Sequence, residues 1–523
     1  MATLKNSSRR IFLKTLSLGV GALACSRFAR AEKAKSKSSK PNVIFIMADD
    51  HTSQAIGVYG SRLAKLNPTP TIDALAKNGM RFDNVFCNNS ICTPSRASII
   101  TGQYSQTNGV LDLGGNIPSE RQHLPIEMKK AGYQTAMVGK WHLKKEPGGF
   151  DYYCVLPGQG KYYNPDFRLQ GDKPWPRNKI VKKDMHSSDA VTDISLEWLK
   201  NGRDKSKPFF LMHHFKAPHD MFQNAKRYDS YLEDVTIPEP DNLHNQPADG
   251  VGSEATRKLG AGVTKAHPSW GLGKRLGIDQ KLEEPEYGRA VYQKYLKRYL
   301  RCVKGVDDNV KRLIDYLKET GELENTVIMY TGDQGFFLGE HDLMDKRWMY
   351  EEAMRMPFIV HYPKTVKPGS SNSWLINNTD FAPTILEFGG AKTPDYMQGR
   401  SFVSALKGQP KPKDWRTSTY YRYWMHLAHA LKVPAHFGIR GERYKLIFFY
   451  GCTPGGGRQT PVAWEFYDLK NDPSEMKNQY ANPKYKKIIA EMKIELKKTR
   501  EELNETDKKY PKIQEIIDAN WDK

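Results

Sequence analysis

Short apolar runs recur along most of the chain. Residues 43–47 are apolar without a break, and similar runs occupy 135–138, 208–212, 326–330 and 357–360. Unbroken runs of this length suit strands buried on both faces of a sheet, whereas alternation marks a strand with one wet face. Between them lie segments with helical spacing, around 71–77, 124–130, 188–200 and 289–317. This alternation predicts an α/β architecture, a large, mixed, mainly parallel sheet sandwiched by helices. Residues 221–288, rich in Pro, Gly, Asn and charge, read as a long insertion of the kind that shapes a site mouth. After about residue 410 the pattern changes. Residues 444–450 and 464–469 read as strands, Gly441 and Glu442 as a turn, and 485–506 as a Lys- and Glu-rich helix. A main domain over 41–410 and a smaller α+β subdomain over 411–523 are expected.

Polar residues collect where the apolar runs end. Asp49 and Asp50 follow the first, Lys140 and His142 the second, His219 the third, and Asp333 and Gln334 the fourth. Open α/β sheets bind ligands outside the carboxyl ends of their strands. Three carboxylates and an amide oxygen are hard donors, so Asp49, Asp50, Asp333 and Gln334 point to Ca²⁺ or Mg²⁺. No Cys/His spacing of a zinc site is present. Taken singly, each signal has a plainer reading. An aspartate pair often caps a helix or turn, and a lone histidine or lysine is usually structural or solvated.

The N-terminus reads as an address. Arg9 and Arg10 precede an apolar run over 16–24, and Ala29-Arg30-Ala31 offers a cleavage site. The run falls short of the roughly 20 apolar residues of a membrane-spanning helix. A twin-arginine signal over 1–31, a polar linker over 32–40 and a periplasmic or secreted destination are expected. Lipidation at Cys25 is the alternative, although Ala22 stands where a lipobox usually has leucine. Mean hydropathy is −0.67, and no other run is long and apolar enough to span a membrane. Lys and Arg number 80 against 59 Asp and Glu, a net charge of +21. Such a chain suits a polyanion, and export argues against nucleic acid and leaves an extracellular polyanion such as a sulfated polysaccharide in the right compartment. Of the six cysteines, Cys87, Cys154, Cys302 and Cys452 are too sparse for a disulfide framework, and their pairing is left open.

Cys92-Thr93-Pro94-Ser95-Arg96, followed by Thr101-Gly102, is the most specific segment. Cys92 is expected just before a helix over 95–100, with Pro94 in its first turn. Unpaired N–H groups and the positive dipole end would then face an anion there, joined by Arg96 one turn on. The pattern C-x-P-S-R-x-x-x-x-T-G resembles the signature of the formylglycine-dependent sulfatases of the alkaline-phosphatase-like superfamily. Gly139-Lys140-Trp141-His142 resembles that family's G-K-W-H element, and Ala217-Pro218-His219 its second histidine element. Lys346, after Gly339-Glu340-His341-Asp342, resembles its second lysine. The resemblance runs from residue 42 to about 480. One departure is Gln334, where the family often has Asn.

The resemblance implies that a formylglycine-generating or sulfatase-maturing enzyme oxidises Cys92 to Cα-formylglycine. The twin-arginine route, which carries folded proteins, leaves time for that step. It also implies Ca²⁺, in preference to Mg²⁺, at Asp49, Asp50, Asp333 and Gln334, with residue 92 alongside. In the implied reaction one hydroxyl of the hydrated aldehyde attacks sulfur while Arg96, Lys140 and Lys346 hold the sulfate oxygens. Asp333 takes the attacking proton, His219 protonates the leaving oxygen, and His142 deprotonates the second hydroxyl to expel sulfate. Residues 420–424 and 436–440 are dense in aromatics, His and Arg, which makes His426, His429, His436 and Arg440 candidate sugar contacts. The competing reading is an aromatic seam between subdomains. This region looks like that of bacterial sulfatases acting on sulfated glycans, some of which remove 6-sulfate from N-acetylglucosamine. Two rivals stand beside it: a phosphonate or phosphate monoester hydrolase on the same scaffold, and a non-catalytic polyanion-binding protein with Cys92 a free thiol.

Overall fold

The computed structural model describes residues 40–247, 251–267 and 270–523, so the leader lies outside the described residues. A ten-stranded sheet forms the centre. Its middle strand, Asn42–Asp49, is buried along its whole length, and Val43 to Ala48 are at most 1 % exposed. It pairs in parallel with Thr326–Gly332 on one side and Phe209–Pro218 on the other. Gln134–Lys140 and Tyr152–Leu156 extend the parallel block. The antiparallel strands lie further out. The 357–360 run becomes Phe358–His361, antiparallel to Thr326–Gly332, and short strands finish both edges. The sheet is therefore mixed and mainly parallel, as its apolar runs predicted.

Helices cover it where helical spacing was read: Pro70–Lys77, His123–Lys130, Ser187–Glu197 and the 34-residue Glu286–Glu319. The described residues of the 221–288 insertion include a short strand, Ala261–Gly262, and a short helix, Leu272–Leu276, joined largely by loops. That strand pairs with Leu343–Asp345, immediately before Lys346. Thr264 N donates to Asp342 Oδ1 at 2.7 Å and His267 Nδ1 lies 2.6 Å from Asp342 Oδ2, so the insertion is tied to the segment that carries Lys346.

The C-terminal region holds a four-stranded antiparallel sheet, Ser418–Tyr423, His436–Gly441, Tyr444–Phe449 and Ala463–Asp468. Two of these strands come from the segment expected to face sugar. Period-two alternation sends Tyr421, Tyr423, Ile447, Phe449 and Tyr467 into the main core. Tyr420, Phe437, Ile439, Leu446 and Phe466 face Leu496 and Ile513 of the helices Lys486–Glu502 and Pro511–Asn520. Both faces are dry, so these aromatics form the packed seam rather than an open platform. Cys87, Cys92, Cys154, Cys302 and Cys452 are buried free thiols, and no disulfide links them.

Candidate active site

Parallel register brings the strand ends together. Ala48 pairs with Gly332, Asp49 with Pro218, and Gly139 with His214, so Asp49, Lys140 and Asp333 emerge at one edge. Against this edge stands the helix Cys92–Thr101, every residue of which is buried. Cys92 is its first residue rather than the residue before it, and Pro94 falls in the first turn, where its missing N–H costs nothing. Each part of the signature has a local task. Ser95 Oγ donates to the Asp333 carbonyl and accepts from Asn378 Nδ2 at 2.9 Å, fixing the helix to the loop after Thr326–Gly332. Arg96 reaches Asp333 Oδ2 at 3.0 Å, Asp49 Oδ1 at 3.5 Å and the Lys140 carbonyl at 2.8 Å. Thr101 Oγ1 donates to the Ala97 carbonyl. Gly102 ends the helix at φ 67°, and a Cβ there would press on Met397 at 3.0 Å. Gly139 of the G-K-W-H element, at φ 102°, leaves room for the His214 carbonyl.

Three buried carboxylates face three buried cations. Lys140 Nζ pairs with Asp49 Oδ2 and donates to Gln159 Oε1 at 2.7 Å. Lys346 Nζ forks onto Asp50 at 2.6 and 2.7 Å. Asp50 has φ 64°. It is held there by its N–H to Asp333 Oδ1 at 3.0 Å and by Tyr299 Oη, on the long helix, donating to its carbonyl at 2.7 Å. Leaving one such charge unpaired would cost several kcal/mol, of order 3–5. Burial works against an ionised Asp49, but Lys140, His219 and Arg96 outweigh it and hold this carboxyl well below the usual range. Burial pushes Asp50 up to about 7 against the pull of Lys346, and Asp333 up to about 6 with the Asp49 charge adding. Acid groups of Asp49, Asp50 and Asp333 come within 4.8 Å of one another, and Gln334 Oε1 is buried with no hydrogen-bond partner. An orphan amide oxygen beside three carboxylates fits a hard divalent cation.

Cys92 Sγ lies 3.3 Å from Asp49 Oδ1 and 3.9 Å from Gln334 Nε2. Burial and the Asp49 charge push its thiol well above the ordinary range. His219 Nε2 stands 3.7 Å from Asp50 Oδ2, and its Nδ1 lies 2.9 Å from the Asp220 carbonyl. Asp49, Cys92 and His219 also converge within 4.8 Å. His142, at φ 58° and 7 % exposed, has a buried Nδ1 without a partner. Burial and then Lys140 hold both histidines well below the usual imidazole range.

A family model described as Sulfatase matches residues 41–391, two thirds of the chain. The chain belongs to the sulfatase family. A second model, the C-terminal region of N-sulphoglucosamine sulphohydrolase, matches residues 339–502. The chain is 39 % identical to an N-acetylglucosamine-6-O-sulfatase of Bacteroides thetaiotaomicron over 94 % of its length and 92 % of the relative's. Human N-acetylglucosamine-6-sulfatase is 27 % identical over 73 % of this chain and 67 % of its own. A solved structure of a protein with its substrate D-glucosamine-2-N,6-O-disulfate superposes with a TM-score of 0.80 at 38 % identity, covering 90 % of this chain and all of that one. A phosphonate monoester hydrolase of Silicibacter pomeroyi, 20 % identical, shares the fold at a TM-score of 0.66, with 90 % of this chain and 96 % of that one covered. The protein is thus a sulfuric ester hydrolase by family.

Within this sulfatase the C-terminal candidates scatter. His436 is sealed in the seam, its ring stacked on Trp348 and Tyr421. Arg440 forks onto Glu351 at 3.1 Å and covers the Phe86 ring. His426 accepts from the Ala435 N–H and bonds the Arg458 carbonyl, which fixes a loop. These contacts occupy all three in packing. His429 is exposed, and its Nδ1 lies 3.5 Å from Arg347 Nη2, next in sequence to Lys346. Sequence reasoning passed over Gln159, the second partner of Lys140. Its signal was a Pro-Gly-Gln-Gly turn at the end of another parallel strand.

Proposed function

We propose that this sulfatase is an exported, Ca²⁺-dependent enzyme that removes 6-sulfate from glucosamine-type sugars through a formylglycine made from Cys92. The observation that carries the reading is the placement of residue 92. It starts a helix directly against Asp49, Gln334 and His219, with Arg96, Lys140 and Lys346 around it. A thiol pushed up by burial and by Asp49 is a poor nucleophile, which supports conversion of that side chain. When modified, residue 92 would supply a hydrated aldehyde as nucleophile, Asp333 would take the proton of the attacking hydroxyl, and the second hydroxyl would allow sulfate to be expelled. Asp49, Asp50, Asp333 and the Gln334 amide oxygen would hold Ca²⁺, which supplies positive charge to the sulfate. Arg96, Lys140 and Lys346 add preorganised charge to the sulfate oxygens. His219 gives its Nε2 proton to the leaving alcohol, and the arriving sulfate favours the imidazolium that this needs. His142 takes up the proton released as sulfate leaves. The 39 % identity to an N-acetylglucosamine-6-O-sulfatase supports the sugar. Arg9 and Arg10, an apolar run and a small-x-small site support the export route.

The test is mass spectrometry of the peptide around residue 92 together with sulfate release from N-acetylglucosamine 6-sulfate. A formyl group in place of the thiol, steady sulfate release, and loss of that release in Cys92→Ala with an unchanged melting curve are expected. Near-native turnover by Cys92→Ala would refute the mechanism. A preference for aryl phosphate or phosphonate over aryl sulfate would refute the substrate.

A further inference from the structure

Lys216 is a buried cation that the mechanism does not use. It lies on the Phe209–Pro218 strand and is 4 % exposed. Among the described residues no carboxylate pairs with its ammonium and no oxygen accepts a hydrogen bond from it. The ammonium sits 4.6 Å from the centroid of the Tyr162 ring. Tyr162 Oη in turn donates to the His219 carbonyl, and His219 N donates to the Lys216 carbonyl at 3.2 Å. Lys216, Tyr162 and His219 are thereby locked into one wall. The charges that act on this ammonium are those of Lys140, Asp49, Asp50 and Asp220. Gly160, beside Gln159, closes on its methylenes, for a Cβ there would lie 3.5 Å from Lys216 Cδ.

An ammonium almost wholly withdrawn from water and lacking an acceptor from the protein is unfavourable. Burial, with Lys140 adding, pushes Lys216 down to about 8, so it still carries charge at neutral pH. Unfavourable charges of this kind persist where a ligand completes them. The scissile sulfate already has Arg96, Lys140 and Lys346. Lys216 stands instead on the wall of His219, the side of the leaving oxygen. We infer that Lys216 is a specificity residue that holds a second anionic group, sulfate or carboxylate, on the saccharide that leaves. The inference rests on the glycan-sulfatase reading above.

Lys216→Met and Lys216→Arg, made in the full chain, test it with four substrates. These are an aryl sulfate, N-acetylglucosamine 6-sulfate, glucosamine 2-N,6-O-disulfate, and a 6-sulfated glucosamine joined to a hexuronic acid. Lys216→Met is expected to lower kcat/KM about tenfold to hundredfold more on one doubly anionic sugar than on N-acetylglucosamine 6-sulfate, mainly through KM. Which of the two sugars responds identifies the second anion. Lys216→Arg should recover part of the loss, and Lys216→Met should melt at the same temperature or higher. Equal losses on all four substrates would assign Lys216 to the scissile sulfate and overturn the proposal. Unchanged selectivity in active enzyme, or a large fall in melting temperature with uniform loss, would also overturn it. If wild-type enzyme cleaves the aryl sulfate but no sugar, the glycan reading itself fails, and the assignment of Lys216 falls with it.

Discussion

His219 shows how one residue's surroundings set its chemistry. Its Nδ1 faces the Asp220 carbonyl at 2.9 Å, which fixes that nitrogen as a donor and aims Nε2 at the carboxylate cluster. Burial and Lys140 favour the neutral ring, so its proton is retained only when negative charge arrives nearby. In the proposed reaction a bound sulfate ester brings that charge, and a proton on Nε2 would then face the leaving oxygen. The need for this proton depends on the leaving group. An aryl alcohol departs as a stable anion, whereas a sugar hydroxyl does not. His219→Ala is therefore expected to slow sugar sulfates by about 10²–10⁴-fold, the usual worth of general acid catalysis, and activated aryl sulfates far less. Steady-state rates on a series of esters with graded leaving-group pKa measure this directly. Equal losses across the series would remove His219 as the acid. His142 faces the same cluster without a partner on Nδ1, and its loss should not depend on the leaving group.

At the scale of elements, the helix Cys92–Thr101, which carries the proposed nucleophile, is fixed at both of its ends. Ser95 and Arg96 tie the start to Asp333, while Gly102 closes the end and its carbonyl accepts from Gln398 N at 2.8 Å. Gly102→Ala forces a Cβ into a left-handed residue and against Met397. The expected cost is roughly 1–3 kcal/mol, read as a lower melting temperature, with sulfate release preserved well below it. An unchanged melting curve would show that this end of the helix is not held. The parallel strands were legible because both faces of each are dry, so residues 43–47 carry no polar interruption. Asp49, Lys140 and Asp333 were legible for a related reason, since each stands where an apolar run stops. The register that unites them was not, because pairing of Asp49 with Pro218 depends on a bulge after Ala48 that no periodicity marks. Lys216 stands four residues past the end of the 208–212 run, where no sequence signal separates it from a solvated lysine. The aromatics around 420–440 misled because each face of their sheet is buried against a different partner. Local density of Tyr and Phe looks alike whether it packs or binds.

Across the whole molecule, the C-terminal helices are clamped to the main body just beyond the helix that bears residue 92. Glu505 Oε1 accepts from Gln106 N at 2.7 Å, Gln398 Nε2 donates to the Leu503 carbonyl at 2.8 Å, and Arg422 and Arg500 enclose Asp507. Gln106 stands four residues after Gly102, so this clamp and the helix that bears residue 92 share one backbone. Glu505 is 1 % exposed, and its Oε2 has no partner. Burial pushes its carboxyl from 4.5 up to about 7, against the pull of Arg422. The folded chain therefore keeps a proton that the unfolded chain has already released in that interval. Because the native state binds the extra proton, this group's stabilising contribution is complete below about pH 4.5 and is lost as pH rises through about 7. Glu505→Gln keeps the oxygen that accepts from Gln106 and removes the titration. Wild type should melt at or above Glu505→Gln near pH 5 and fall below it by a few degrees near pH 8, in paired scans with all other titrating groups in common. A difference that is constant with pH would mean that Glu505 is ionised in the fold. Its partner would then have to be sought among Arg422 and Arg500, the cations that surround Asp507.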